Sequence, residues 1–144
     1  MDEFPHVYGV ESSCGPTGRV ALGSAGAPPL ESDVPVQFGG PGDRWSPEGL
    51  MLGALIDCLS LSFRTSANAS KLDWTDLRCR AEGTLDRIDG VMRFTAIRVQ
   101  ARLRIPAGGK PYRAQRLLER AKRNCPVSNS LAVEVAVEAS VEEA

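Results

Sequence analysis

Residues 46–70 read SPEGLMLGALIDCLSLSFRTSANAS, and this stretch decides the fold. Ser46 supplies an N-cap hydroxyl, Pro47 is pre-set for the first helical position, and Glu48 places an acid against the positive end of the helix dipole. Together they predict a helix from Pro47 to about Ser70. Leu50, Ala54, Leu55, Cys58, Leu59 and Ser62 recur three or four apart and define one face, while Met51, Leu52, Ile56, Leu61 and Phe63 coat much of the remainder. A helix apolar on most sides is expected to be buried on most sides, by sheet, by other helices or by a partner subunit. This is therefore the central helix.

From Trp74 the period changes to two. Leu77, Cys79, Ala81, Gly83 and Leu85 alternate with Arg78, Arg80, Glu82, Thr84 and Asp86. After Asp89-Gly90, a type I′ turn signal, Ile97, Val99, Ala101, Leu103 and Ile105 alternate with Arg98, Gln100, Arg102 and Arg104. The pattern predicts a long hairpin with one wet face. Pro111 opens a second helix with Ala114, Leu117, Leu118 and Ala121 inward and Arg113, Arg116 and Arg120 outward. Asn124-Cys125-Pro126 interrupts it, and Val133, Val135, Val137 and Val141 mark a last strand whose Glu134 and Glu138 can pair with the basic face of the hairpin.

Upstream of the central helix the chain is punctuated. Of 24 Gly and Pro residues, 16 fall in the first 49 positions, so short strands joined by turns are expected there: 6–13, 19–22 and part of 29–38, before a loop at 39–44. The order is strands, helix, hairpin, helix, strand, with no βαβ repeat. That order predicts an α+β fold with an antiparallel sheet.

The chain has 144 residues, so one domain over residues 1–144 is expected. Seventeen Lys and Arg against eighteen Asp and Glu leave a net charge of −1, which argues against a nucleic-acid binder relying on a general positive field. The arginines at 113, 116 and 120 then read as a solvated helix face. No apolar run approaches the roughly 20 residues needed to span a bilayer, and the acidic start Met1-Asp2-Glu3 is unlike a signal peptide. Neither nucleic acid nor membrane is expected as a partner, and the expected compartment is the cytoplasm.

There is one histidine, His6, and the four cysteines at 14, 58, 79 and 125 stand 44, 21 and 46 apart, unlike the CxxC pairs of zinc sites. No metal is expected. Cys79 lies on the apolar phase of its strand and reads as a small core residue, and Cys14 sits in a Gly/Pro turn with nothing nearby to activate it. Cys58 points along the inner face of the central helix, among the unusually polar Asp57, Ser60 and Ser62, and a thiolate there needs an external cation. Cys125 precedes Pro126; if a short helix starts there, Cys125 is its N-cap, where free N–H groups favour a thiolate.

The Ser46-Pro47-Glu48 helix start with Cys58 ten residues after Glu48, followed far downstream by Asn124-Cys125-Pro126-Val127-Ser128-Asn129-Ser130-Leu131, resembles the OsmC/Ohr family of osmotically inducible and organic-hydroperoxide-resistance proteins. The resemblance runs from the glycine-rich loop at 39–42 through the last strand. It implies an intertwined homodimer whose sheets wrap paired central helices, with two active sites at the interface. It also implies a cofactor-free thiol peroxidase acting on small organic hydroperoxides and recycled by a small-molecule or protein dithiol. Carried onto matching positions, Cys58 is the peroxidatic nucleophile, Cys125 the resolving cysteine, and Glu48 the acid that orients an arginine beside the thiolate.

The family's arginine lies in a Gly-Gly-Arg-Asp-Gly-like stretch. Here the stretch is Cys14-Gly15-Pro16-Thr17-Gly18-Arg19, with Pro16 or Gly15 at the aligned place. Arg19 is the first candidate to replace it, ahead of Arg44 and Arg64. Ten residues of helix put about 15 Å between Glu48 and Cys58, so the glutamate reaches the thiol only through a partner chain or a long bridging arginine. The displaced arginine favours an alternative, a dimeric binding or scaffold protein that keeps the fold with little turnover.

Overall fold

The helix start is built as its residues dictate. Ser46 Oγ accepts the Gly49 N–H at 3.0 Å, and α1 spans Pro47–Ala69 in the computed structural model, which describes residues 1–144. The chain divides into two compact units, Met1–Met51 and Leu52–Ala144.

The first unit carries a small antiparallel sheet, β1 (Glu11–Ser13), β2 (Val20–Gly23) and β3 (Leu30–Ser32), in that order, followed by a 3-10 turn at Val36–Phe38. The glycine-rich loop is packed tightly. A Cβ at Gly40 would lie 1.7 Å from the Val34 carbonyl oxygen, so no other residue fits there. Beyond the loop, the Asp33 N–H donates to the Trp45 carbonyl at 2.9 Å, bringing the chain back to β3 just before α1 begins.

The second unit holds the core. β4 (Asp76–Ile88) and β5 (Val91–Ile105) form the expected hairpin, closed by Asp89 and Gly90 with φ of 50° and 79°, the left-handed pair that a type I′ turn requires. Ile97, Val99, Ala101, Leu103 and Ile105 of β5 are buried and the residues between them exposed. α2 (Pro111–Arg123) buries Ala114, Leu117, Leu118 and Ala121, the four residues assigned inward. They meet Phe63 and Ala67 of α1 and the inner residues of β5 in one cluster, with Leu72, Trp74 and Cys79 around it. α3 (Pro126–Ser130) and β6 (Val135–Glu143) complete the unit.

Two features depart from the expected pattern. β6 pairs with β5 in parallel, Ile97 opposite Val135 and Ile105 opposite Glu143, so the sheet order is β4-β5-β6 and β5–α2–β6 is a βαβ crossover. The fold class stays α+β, but this sheet is mixed rather than wholly antiparallel. The reason is α2: a helix laid across the sheet face carries the chain back to the end where β5 began, and the next strand must then run the same way. The expected pairing of charges survives the change, since Arg98 lies 3.8 Å from Glu138 across the parallel pair. Second, β5 carries a bulge. Thr84 pairs with Ala96 but Leu85 with Phe94, leaving Thr95 extra and shifting the phase toward the turn.

α1 also corrects the reading that no stretch reaches membrane-spanning length. Its 23 residues are long and apolar enough to cross a bilayer by length and composition. Asp57, Arg64 and scattered serines break up the run when the sequence is scanned residue by residue. Nor does this chain bury α1 on most sides: Leu55, Leu59, Phe63 and Ala67 form one buried stripe, whereas Leu61 is exposed. Phe63 is fully buried and meets Trp74 edge to face, ring centroids 5.3 Å apart. Phe63→Ala is expected to destabilise the protein by about 3–5 kcal/mol in denaturant unfolding, the range for an aromatic deleted from a packed core.

Candidate active site

The two cysteines singled out from the helix starts come together. Cys58, on α1, is partly exposed and neighbours Cys125 closely enough to perturb it; Cys125 is fully buried between α2 and α3. Both are free thiols. Helical phase explains the meeting. Cys58 follows Leu55 by three and precedes Leu59 by one, so it flanks the buried stripe of α1; Cys125 follows Ala121 by four and continues the inward line of α2 past its end.

Cys125 is the N-cap of α3, as its place before Pro126 suggests. Its extended backbone turns the chain into the helix, and its Sγ accepts the Ser128 N–H at 3.4 Å. Asn129 Nδ2 and Ser130 Oγ tie the short helix to the Arg123 and Pro126 carbonyls at 3.0 and 2.7 Å. The charge state differs from the expectation that an N-cap thiol ionises readily. Burial pushes the Cys125 thiol up to about 11, against the backbone N–H groups of Ser128 and Val127 that pull it down, with the adjacent Cys58 adding to the rise. A helix of five residues has too small a dipole to offset that burial. At neutral pH Cys125 therefore keeps its proton.

Glu48 sits in the first turn of α1 with Oε2 buried and without a hydrogen-bond partner. Arg19 and Arg44 are not on it. Both guanidiniums converge on the same two carboxylates: Arg19 lies 3.3 Å from Glu31 and 3.0 Å from Asp43, and Arg44 lies 3.1 Å from Glu31 and 3.3 Å from Asp43. The pair holds the Glu31 carboxyl below its ordinary range, Arg44 contributing most. Sequence reading did not anticipate this four-residue cluster, because Arg19, Glu31 and Asp43 are 12 residues apart in sequence and meet only once the β2–β3 hairpin and the loop have closed. Arg64, the third candidate, projects from the exposed side of α1. Of the other thiols, Cys14 is exposed, and Cys79 is half-buried and raised by that burial, with Ser60 Oγ donating to it at 3.8 Å.

Comparison with known proteins agrees with this architecture. The family described as OsmC-like protein matches residues 40–140, and the chain belongs to that family. The uncharacterized protein YmaD of Bacillus subtilis (strain 168) is 28% identical over 113 residues, 75% of each chain. Among solved structures, an OsmC-like protein of unknown function from Vibrio cholerae superposes with a TM-score of 0.84 at 16% identity, over 94% of this chain and 100% of that one. An organic hydroperoxide resistance protein from Legionella pneumophila superposes with a TM-score of 0.72 at 25% identity, over 97% of this chain and 99% of that one.

The raised Cys125 thiol makes stability depend on pH. An unfolded cysteine ionises near 8.5, whereas this one stays protonated in the folded state to about 11, so the neutral form stabilises the fold below about 8.5 and that contribution is lost as pH rises toward 11. Urea unfolding between pH 8 and 11 is expected to show a stability loss that is smaller in Cys125→Ala than in the parent.

Proposed function

We propose that the chain is a thiol-dependent peroxidase that reduces organic hydroperoxides through Cys58 and Cys125. One observation carries the reading: a partly exposed thiol on a central helix, reachable from solvent, stands against a buried thiol held in place by the N-terminus of a second helix. Membership in the OsmC-like family, and the name of the Legionella pneumophila relative, support the substrate class.

The Cys58 thiolate attacks the distal peroxide oxygen. The O–O bond breaks, the alkoxide leaves and takes a proton as the alcohol, and Cys58 becomes a sulfenic acid. Cys125 then attacks the sulfenic sulfur, water leaves, and a Cys58–Cys125 disulfide forms before further oxidation. A dithiol, small or protein, returns two electrons and two protons. Cys125 suits the second step and not the first. It is buried and protonated at neutral pH, so it does not compete for peroxide, and its proton can leave with the departing hydroxide.

We place the working form as a homodimer of 144-residue domains. Glu48 is too far along its own helix to touch Cys58, and its buried unpartnered oxygen calls for a donor that this chain does not supply. In the dimer Glu48 orients an arginine toward a thiol. Arg19 remains the first choice because it lies in the N-terminal turn region that corresponds to the family's arginine, but it must leave Glu31 or Asp43 to serve. The exposed position of that cluster makes the exchange cheap, since surface ion pairs are weak.

A second reading has an observation of its own. With Arg19 and Arg44 both held by Glu31 and Asp43, neither is free to serve a thiol without leaving its carboxylates, which favours a dimeric binding or scaffold protein of the same fold with little turnover. Mixing pre-reduced protein with cumene hydroperoxide or hydrogen peroxide and counting thiols separates the two. The peroxidase is expected to lose two thiols per chain, faster with the organic peroxide; loss with neither establishes the scaffold.

Peptide mapping after one equivalent of peroxide is expected to find a bridge between Cys58 and Cys125 of one chain, and a bridge to Cys79 or Cys14 would overturn the assignment. Cys58→Ser is expected to abolish peroxide consumption, Cys125→Ser to permit one attack and then over-oxidation, and Cys79→Ala to leave turnover intact. Light scattering is expected to give twice the chain mass of 15.4 kDa.

A further inference from the structure

The net charge of −1 conceals a strong asymmetry. Residues 110–123 hold six basic residues and the single acid Glu119, leaving eleven basic against seventeen acidic residues elsewhere. On α2, Tyr112, Arg113, Arg116, Arg120 and Arg123 fall within an arc of about 100°, opposite the buried residues. With Leu117 at their edge they line a cavity of about 390 Å³. None of these four arginines makes an ion pair, and Glu119, the acid nearest to them in sequence, accepts instead from Gln115 Nε2 at 3.4 Å.

Such a stripe is unfavourable by itself. Like charges three and four residues apart repel on a helix surface, and Arg113, in a first turn that contains no acid, faces the positive end of the dipole. Solubility does not require cations gathered on one side. Two of the four are nevertheless held: Arg113 Nη2 donates to the Ser70 carbonyl at the end of α1, and the Arg116 guanidinium lies 5.9 Å from the centre of the Tyr112 ring. Guanidiniums fixed in this way present forked donors to a phosphate.

We propose that this face of α2 is a binding site for a small phosphorylated ligand bearing at least two negative charges, its phosphates on Arg113, Arg116, Arg120 and Arg123 and an aromatic or apolar part against Tyr112. The cavity volume falls at the small end of the range for such ligands. The acidic remainder of the chain repels a long polyanion that runs off the stripe, which selects a small ligand over a nucleic acid. The site uses neither Cys58 nor Cys125, so it stands independently of the peroxidase reading.

The test is calorimetric titration of the full chain with sodium tripolyphosphate, ATP, adenosine and a single-stranded 12-mer oligonucleotide, at about 50 mM and about 200 mM salt. Tripolyphosphate and ATP are expected to saturate, ATP more tightly, both weakening with salt, with no binding of adenosine. Arg116→Gln/Arg120→Gln is expected to weaken ATP at least about tenfold, and Tyr112→Ala to weaken ATP more than tripolyphosphate, removing the advantage of ATP over it. Because removing like charges relieves the helix, the double variant without ligand is expected to melt no lower than the parent. Absence of saturable binding, equal binding by the double variant, a lower melting temperature, or an oligonucleotide that binds more tightly than ATP would each overturn the proposal.

Discussion

The second unit depends on one packing constraint: α1 and α2 share the inner face of a sheet whose buried positions come almost entirely from β5. Ala101, Leu103 and Ile105 of that strand pack in one cluster with Phe63 and Ala67 of α1 and with Ala114, Leu117, Leu118 and Ala121 of α2. Because several of the cluster's helical members are alanines, the rotation of each helix is determined by its few large residues. Phe63 sets α1; Leu117 and Leu118 set α2. Once those rotations are set, the positions of Cys58 and Cys125 follow without further device, the first beside the α1 stripe and the second one turn beyond Ala121. The thiol pair is a consequence of core packing, and its geometry is as rigid as that core.

The electrostatics of the pair are then decided by depth. An N-cap position and a buried position make opposite demands on a thiol, and at Cys125 burial outweighs two backbone donors. The same comparison explains Cys79, which has only one weak donor and is raised by burial as well. Cys58 is the partly exposed member of the adjacent pair. In the proposed peroxidase, solvent access separates an accessible attacking sulfur from a protected resolving one, while the attacking thiolate still needs its cation.

Local signals were legible where the residue types themselves carry the geometry. Ser46, Pro47 and Glu48 specify a helix start; Asp89-Gly90 specifies a turn; the spacing of Ala114, Leu117, Leu118 and Ala121 specifies a face. The direction of β6 was not legible, since an alternating strand reads the same whether its neighbour runs parallel or antiparallel, and only the docking of α2 decides. The bulge at Thr95 was hidden for a related reason: Phe94, Thr95 and Ala96 break no alternation strongly enough to show that one residue is extra. Arg19 and Arg44 illustrate a third limit. Their carboxylate partners are selected by loop closure, and no spacing rule links position 19 to position 43.

The bulge marks where the sheet changes character. β6 pairs with β5 only from Ile97 onward, so between the bulge and the turn the hairpin is a two-stranded ribbon without a third strand. Such ribbons are marginal in water unless a face is covered. This one exposes Leu85, Ile88, Val91 and Met92, each at least 38% accessible, close to the turn, where polar residues would be expected if solvent were its final surroundings. Inside the chain it is braced only at its base, where Gly83 leaves room for Phe94 and Leu52. The exposed Leu61 on α1 adds to the same surplus of uncovered apolar surface. Scattered apolar residues on a surface need no explanation, but four on the outer half of an otherwise unsupported ribbon do. The homodimer proposed for this chain accounts for them, since a ribbon that reaches past its own sheet can be covered by a second copy.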